Sequence, residues 1–146
     1  MCRTVDVAPG RHARARLRAL SDRVPHLADD PYRIAMNRLG LDAPTPAEAA
    51  LRGRLVRGGY RSRGLVADAC LIALVDTGVG VWAVDAVDEL RIEDGCVVGP
   101  GVRVPLFVAP PRVSGSRVTF FGVVVPGVAA GVVEEAVWIA ADIVAA

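Results

Sequence analysis

The sequence predicts an α+β fold in which N-terminal helices precede a short-stranded antiparallel or mixed β-sheet and a C-terminal helix closes the chain. Three observations carry this. Helix start and stop signals crowd the first half, at Asp29-Asp30-Pro31, Thr45-Pro46-Ala47-Glu48 and Gly58-Gly59. After Gly78 the apolar residues shift toward a period of two. A final stretch, from about Ala129 to Val144, returns to helical spacing.

The first helix is expected within Arg11 to Arg23, where Ala13, Leu17 and Leu20 form a narrow apolar stripe and the other faces are mostly Arg. The second should run from about Pro31 to Leu39, because Pro is tolerated in the first turn and acids suit the positive end. Gly40 stops it. A third is expected from Pro46 to Arg57: Thr45 is an N-cap residue and Glu48 completes a capping box. Beyond the loop Arg61-Ser62-Arg63, the segment GLVADACLIALVDTG is apolar on every side, as a buried helix requires, so a helix from about Gly64 to Asp76 should end at Gly78. Val79, Val81 and Ala83, then Leu90 and Ile92, alternate as strands do, and Asp94-Gly95 is a hairpin turn before Cys96-Val97-Val98. Gly99-Pro100-Gly101 and Pro110-Pro111 bound short strands near Val102 to Val108 and Arg117 to Val125. On the closing helix, Val132, Ala136, Ile139, Ala140 and Ile143 fall on one face, and Trp138 is expected in the core.

A chain of 146 residues suits one domain, residues 1–146, able to bury roughly two thirds of the surface its unfolded form exposes. With 53% hydrophobic and 23% charged residues, global disorder is excluded. The net charge of +1 conceals a division: residues 1–63 hold 13 Arg against 6 acids, residues 64–146 hold 4 Arg against 10 acids. Every basic residue other than His is Arg, whose guanidinium binds phosphate and carboxylate bidentately. Cys2, Cys70 and Cys96 are odd in number and lack metal or redox spacing, so neither a disulfide framework nor a metal site is expected. The start, Met1 to Asp6, has no apolar core of signal-peptide length, and the longest uncharged run, Val118 to Val133, is broken by Pro126 and three Gly. A cytoplasmic protein without membrane contact or cofactor is expected.

Several residues stand out chemically. His12 and His26 are too few and too badly placed for a His-based metal site or a Ser-His-Asp triad, and read as structural or surface residues. Asp85, Asp88, Glu89, Glu93 and Asp94 lack calcium-loop spacing and read as a solvated hairpin face. Arg11, Arg14, Arg16 and Arg18, with Arg52, Arg54, Arg57, Arg61 and Arg63, either form a phosphate-tracking surface or are matched by the acidic second half. Trp82 either packs in the core or lines a pocket.

Taken together, PYRIAMNRLGL, TPAEAALRGRLVRGG and RSRGLVADACLIALVDTGVGVWAVDAVDEL resemble, in order and spacing, the B3/B4 tRNA-binding and editing-type region of the phenylalanyl-tRNA synthetase beta chain. In that family a helix ending in a double Gly leads through a polar loop to a Val-Asp helix, a Gly turn and an Ala-aromatic-Asp strand. Here Val66-Ala67-Asp68, Gly78 and Ala83-Val84-Asp85 stand at those places, and VTFFGVVVPGV with the following helix is similar to the family's last strand and helix. The departures fall on the polar site. Trp82 stands where the bacterial editing domains carry His, Gly80 replaces a Pro, Leu71 replaces an Asn, and Gly115 to Thr119 offers Ser and Arg but no Glu.

The resemblance implies a free-standing protein that binds tRNA and, if active, hydrolyses the ester of a mischarged tRNA. That chemistry needs a placed water and oxyanion donors more than a strong nucleophile. Arg61, Ser62, Arg63, Asp68, Trp82 and Asp85 are then the substrate-binding candidates, with Arg52, Arg54 and Arg57 on the nucleic acid. Loss of the family's polar positions equally suits a non-catalytic module that holds an amino acid or another small metabolite under Trp82. In a third reading the basic and acidic halves pair between subunits.

Overall fold

The computed structural model describes residues 1–20, 23–25, 30–56 and 59–146. The chain folds as a mixed α+β structure of short antiparallel sheets and helices. It begins with a strand, β1 (Cys2–Asp6), followed by α1 (Arg14–Ala19), α2 (Pro31–Arg38) and α3 (Pro46–Gly53). A small hairpin, β2 (Leu55–Val56) and β3 (Gly59–Tyr60), leads to α4 (Leu65–Thr77). Then come β4 (Trp82–Asp85), β5 (Arg91–Glu93), β6 (Cys96–Gly99), β7 (Val102–Pro105), β8 (Arg117–Phe121) and α5 (Ala130–Val144).

The helix ends follow the expected chemistry. Asp30 accepts a bond from the Tyr32 amide at 2.9 Å, and Thr45 Oγ1 accepts from the Glu48 amide at 3.2 Å, each one residue ahead of a first-turn Pro. Gly78 takes the left-handed conformation that ends α4. The Ala13, Leu17 and Leu20 stripe is buried, although α1 is shorter than the expected span.

β8 is the middle strand of the sheet β1-β8-β4, antiparallel to both neighbours, and its Val118, Thr119 and Phe120 are fully buried. Strand alternation sends Val118 and Phe120 to one face, with Gly122 continuing that side, and Thr119 and Phe121 to the other. The first face meets α5 closely: a Cβ on Gly122 would lie 2.7 Å from Val133. α4 packs against α5, and Ala69, Ala73, Ala136, Ala140 and Ala141 let the two backbones approach. β5, β6 and β7 form a separate meander, turned at Asp94-Gly95 where both residues have positive φ.

Three expectations need correction. β1 stands ahead of the helices expected to come first; its side chains are mostly polar, as suits an edge strand, and its partner lies more than 100 residues away in sequence. The third helix stops at Gly53 rather than Arg57, because the chain reverses through β2 and β3. Trp138 lies outside the core, 48% exposed, because the buried line of α5 runs through Val133, Ala136, Val137, Ala140, Ala141 and Val144. Arg57, His26 and the Gly58 of the expected helix stop lie outside the described residues.

Candidate nucleic-acid interface

Asp68 lies in the first turn of α4 with its side chain 1% exposed. Its carboxylate accepts from Arg54 Nη2, from Ser62 Oγ at 2.5 Å and from the Arg63 amide at 2.9 Å. Arg54 also donates from Nε to the Arg61 carbonyl at 2.9 Å and from Nη1 to the Ala67 carbonyl at 3.3 Å. Four of the expected site residues, Arg61, Ser62, Arg63 and Asp68, are therefore brought together, with Arg54 added. Arg61 and Arg63 join through main-chain atoms and Ser62 through its hydroxyl, so the cluster fastens the 61–63 loop to the start of α4. Burial pulls the Arg54 guanidinium below its usual value while Asp68 pushes it back, and an arginine remains charged under both influences.

Arg54 thus turns inward, away from the nucleic-acid role expected of it with Arg52 and Arg57. Arg52 alone of the described pair is exposed, 3.7 Å from Glu48, which also binds Arg33 at 3.0 Å. These two guanidinium groups hold the Glu48 carboxyl below its ordinary value, Arg33 more strongly through its hydrogen bond.

Trp82 and Asp85 belong to other surroundings. They lie three residues apart on β4 and so point to opposite faces of the sheet. The Trp82 ring stacks on Phe121 at 6.0 Å between centroids and meets Phe107 and Tyr32 at 6.0 and 6.5 Å. It also lies over Gly80, where an added Cβ would come within 2.8 Å of both Trp82 and Pro46. The Gly80 amide donates to the buried Tyr32 hydroxyl at 3.0 Å, and loss of solvent pushes that phenol up to about 12. Asp85 accepts from the Gly115 amide at 2.7 Å and from the Ser114 amide and hydroxyl at 3.0 and 3.1 Å. The Gly115 bond first, then Ser114, draws this carboxyl below its ordinary value. It ties down the loop that enters β8.

The surface beside the Asp68 cluster is basic. Arg14 and Arg18, one turn apart on α1, flank a cleft of about 180 Å³ completed by Leu17, Gly59, Tyr60 and Ser62. No acidic side chain lines it among the described residues. Arg14, Arg16, Arg18 and Arg61 are exposed and make no ion pair among the described residues, and the Arg63 guanidinium donates to the Gly53 carbonyl. The two halves of the chain meet through three ion pairs there, Arg23 with Asp76, Arg54 with Asp68 and Arg117 with Asp6. Among the described residues, intramolecular pairing therefore leaves Arg14, Arg16 and Arg18 of α1 without an acidic partner. Arg14 and Arg18 belong to the basic group that the sequence offers as a phosphate-tracking surface, where the nucleic-acid role falls to Arg52, Arg54 and Arg57; the structure sets Arg14 and Arg18 side by side at one cleft. The i, i+4 spacing of Arg14 and Arg18 was the available signal.

Among the described residues, no three His, Cys, Asp or Glu side chains gather as a metal site would require, and no helix is long and apolar enough to cross a membrane. No protein-family model, curated protein or solved structure matches the chain.

Proposed function

We propose that this protein binds RNA, with tRNA the foremost candidate, through the basic cleft between α1 and the 61–63 loop. The observation that carries the reading is the pair Arg14 and Arg18, which line one concave site and make no ion pair with an acid among the described residues. Guanidinium groups so placed take phosphate oxygens by charge-assisted, bidentate bonds. The resemblance in order and spacing to the editing-type region supports tRNA over other RNAs. Binding is favoured over turnover because the carboxylates that would orient a water are engaged: Asp68 holds three donors and Asp85 fastens its loop.

The test is anisotropy of labelled tRNA across a salt series, with Arg14→Ala/Arg18→Ala beside the parent chain, and deacylation of mischarged tRNA in parallel. Affinity should fall steeply with salt, and the double variant should lose about one to two phosphate contacts from the log–log slope, at roughly 0.7–0.9 per contact. Salt-insensitive binding, or none, overturns the reading.

A second reading, a pocket for an amino acid or small metabolite at Trp82, draws support from Phe107. This residue sits at φ 63, a left-handed conformation unfavourable for a bulky side chain, while its ring packs on Trp82. Displacing Phe107 would open the indole to a ligand. Titration of Trp fluorescence with amino acids and nucleosides tests this, and an unchanged spectrum counts against it.

A further inference from the structure

The outer face of α5 is unpartnered. Glu134, Glu135, Trp138 and Asp142 are exposed, and at 100° per residue they fall within one arc of about 100°. Among the described residues none of the three acids makes an ion pair or side-chain hydrogen bond. Trp138 and Glu134 border a depression of about 420 Å³ completed by Met1, Cys2, Arg3 and Val137. On one side of the indole lies the Arg3 guanidinium, 3.3 Å from the ring centroid. Arg3 Nη1 is buried there with no acceptor. The ring thus already accommodates an arginine, and acids stand beside it.

We infer that this face docks against the Arg14–Arg18 face of a second copy of the chain. Charge complementarity selects the occupant. Among the described residues, one chain carries an unpaired couple of guanidinium groups one turn apart on α1 and an unpaired acidic stripe centred on Trp138 on α5. In the isolated chain the like charges at i, i+4 on α1 oppose each other, and the partner's stripe relieves that repulsion. Trp and Arg are also the residues that most often anchor interfaces. The face given to RNA above is shared, so RNA and a second copy exclude each other there, but the association does not require that RNA binds.

Sedimentation velocity of the full chain at about 50 mM and about 500 mM salt tests this, the screening length shortening severalfold between the two. The mass should exceed the 15.3 kDa of one chain at low salt and return to it at high salt. Glu134→Arg/Glu135→Arg and Arg14→Glu/Arg18→Glu should each be monomeric, and an equimolar mixture of the two should associate again, which loss of folding would not allow. Trp138→Ala should weaken association of the parent. A chain of one-copy mass at low salt, or association that survives both charge reversals, overturns the inference. tRNA anisotropy on the parent chain separates the two readings: association at low salt without tRNA binding removes only the RNA reading, while tRNA binding by a chain that keeps one-copy mass at low salt removes only this one.

Discussion

Arg54 and Asp68 form an ion pair sealed from solvent, 10% and 1% exposed, although one belongs to the end of α3 and the other to the first turn of α4. Two charges in so dry a place hold only because each is bonded again, Arg54 to the Arg61 and Ala67 carbonyls and Asp68 to Ser62 and the Arg63 amide. Removing one partner strands the other. Asp68→Ala should therefore cost about 3–5 kcal/mol in urea unfolding, a large share of the stability of a typical domain. Arg54→Met with Asp68→Leu should cost less than Asp68→Ala alone, since no buried charge remains. A loss below about 1 kcal/mol in Asp68→Ala would show that the pair is not what fixes the loop.

That pair also marks where sequence reading stopped. Arg54 was expected on an RNA-facing helix and Asp68 beside a substrate, and their spacing in the chain gives no sign that they touch. What was legible is local: Thr45 and Glu48, the Asp94-Gly95 turn and the all-apolar α4 each fix their conformation through near neighbours. β1 was not, because its bonds come from β8 across the whole chain and half of its surface is solvent-facing. Trp138 misled for a related reason. In an α5 rich in Val and Ala, several faces are apolar enough to be buried, and the close approach of Val133 to Gly122 selects the one that leaves the indole outside.

Gly80 leaves no room for a methyl group, with Pro46 and the Trp82 ring both 2.8 Å from an added Cβ. Gly80→Ala should push the indole off Phe121 at a cost of about 1–3 kcal/mol, and Trp82→Phe should remove the share of that penalty that falls on the indole while the Pro46 contact keeps the rest. Thermal unfolding of the two single variants and the double variant measures the coupling. Strictly additive losses would show that the ring does not bear on Gly80.

Asp85 makes the loop entering β8 sensitive to acid. Its carboxyl is depressed by the Gly115 and Ser114 bonds, so the loop contacts it adds are fully present above the carboxyl's unfolded value and are lost as pH falls through the lower folded value. Hydrogen exchange of the Ser114 and Gly115 amides, corrected for the intrinsic rate, should lose protection on acidification below the ordinary carboxylate range. In Asp85→Ala protection should be low at every pH. Protection in the parent that is flat into strong acid would mean that the Asp85 bonds do not hold these amides.

Cys70 and Cys2 should differ sharply in reactivity. Cys2 is exposed on β1, whereas loss of solvent pushes the Cys70 thiol on α4 up to about 12, with Arg54 pulling weakly the other way. The thiolate is the reactive form, and a rise of about three units from the ordinary thiol range leaves roughly a thousandth of the usual thiolate at pH 8. In Cys2→Ser/Cys96→Ser, alkylation of Cys70 should therefore be roughly a thousandfold slower in the native protein than in urea, and in Cys70→Ser/Cys96→Ser the same ratio should be close to one. Asp68→Ala supplies the cross-check. Loosening the Arg54 cluster beside Cys70 should speed its alkylation while leaving Cys2 unchanged, and equal native rates for the two thiols would contradict the loss of solvent that raises the partly buried Cys70 thiol.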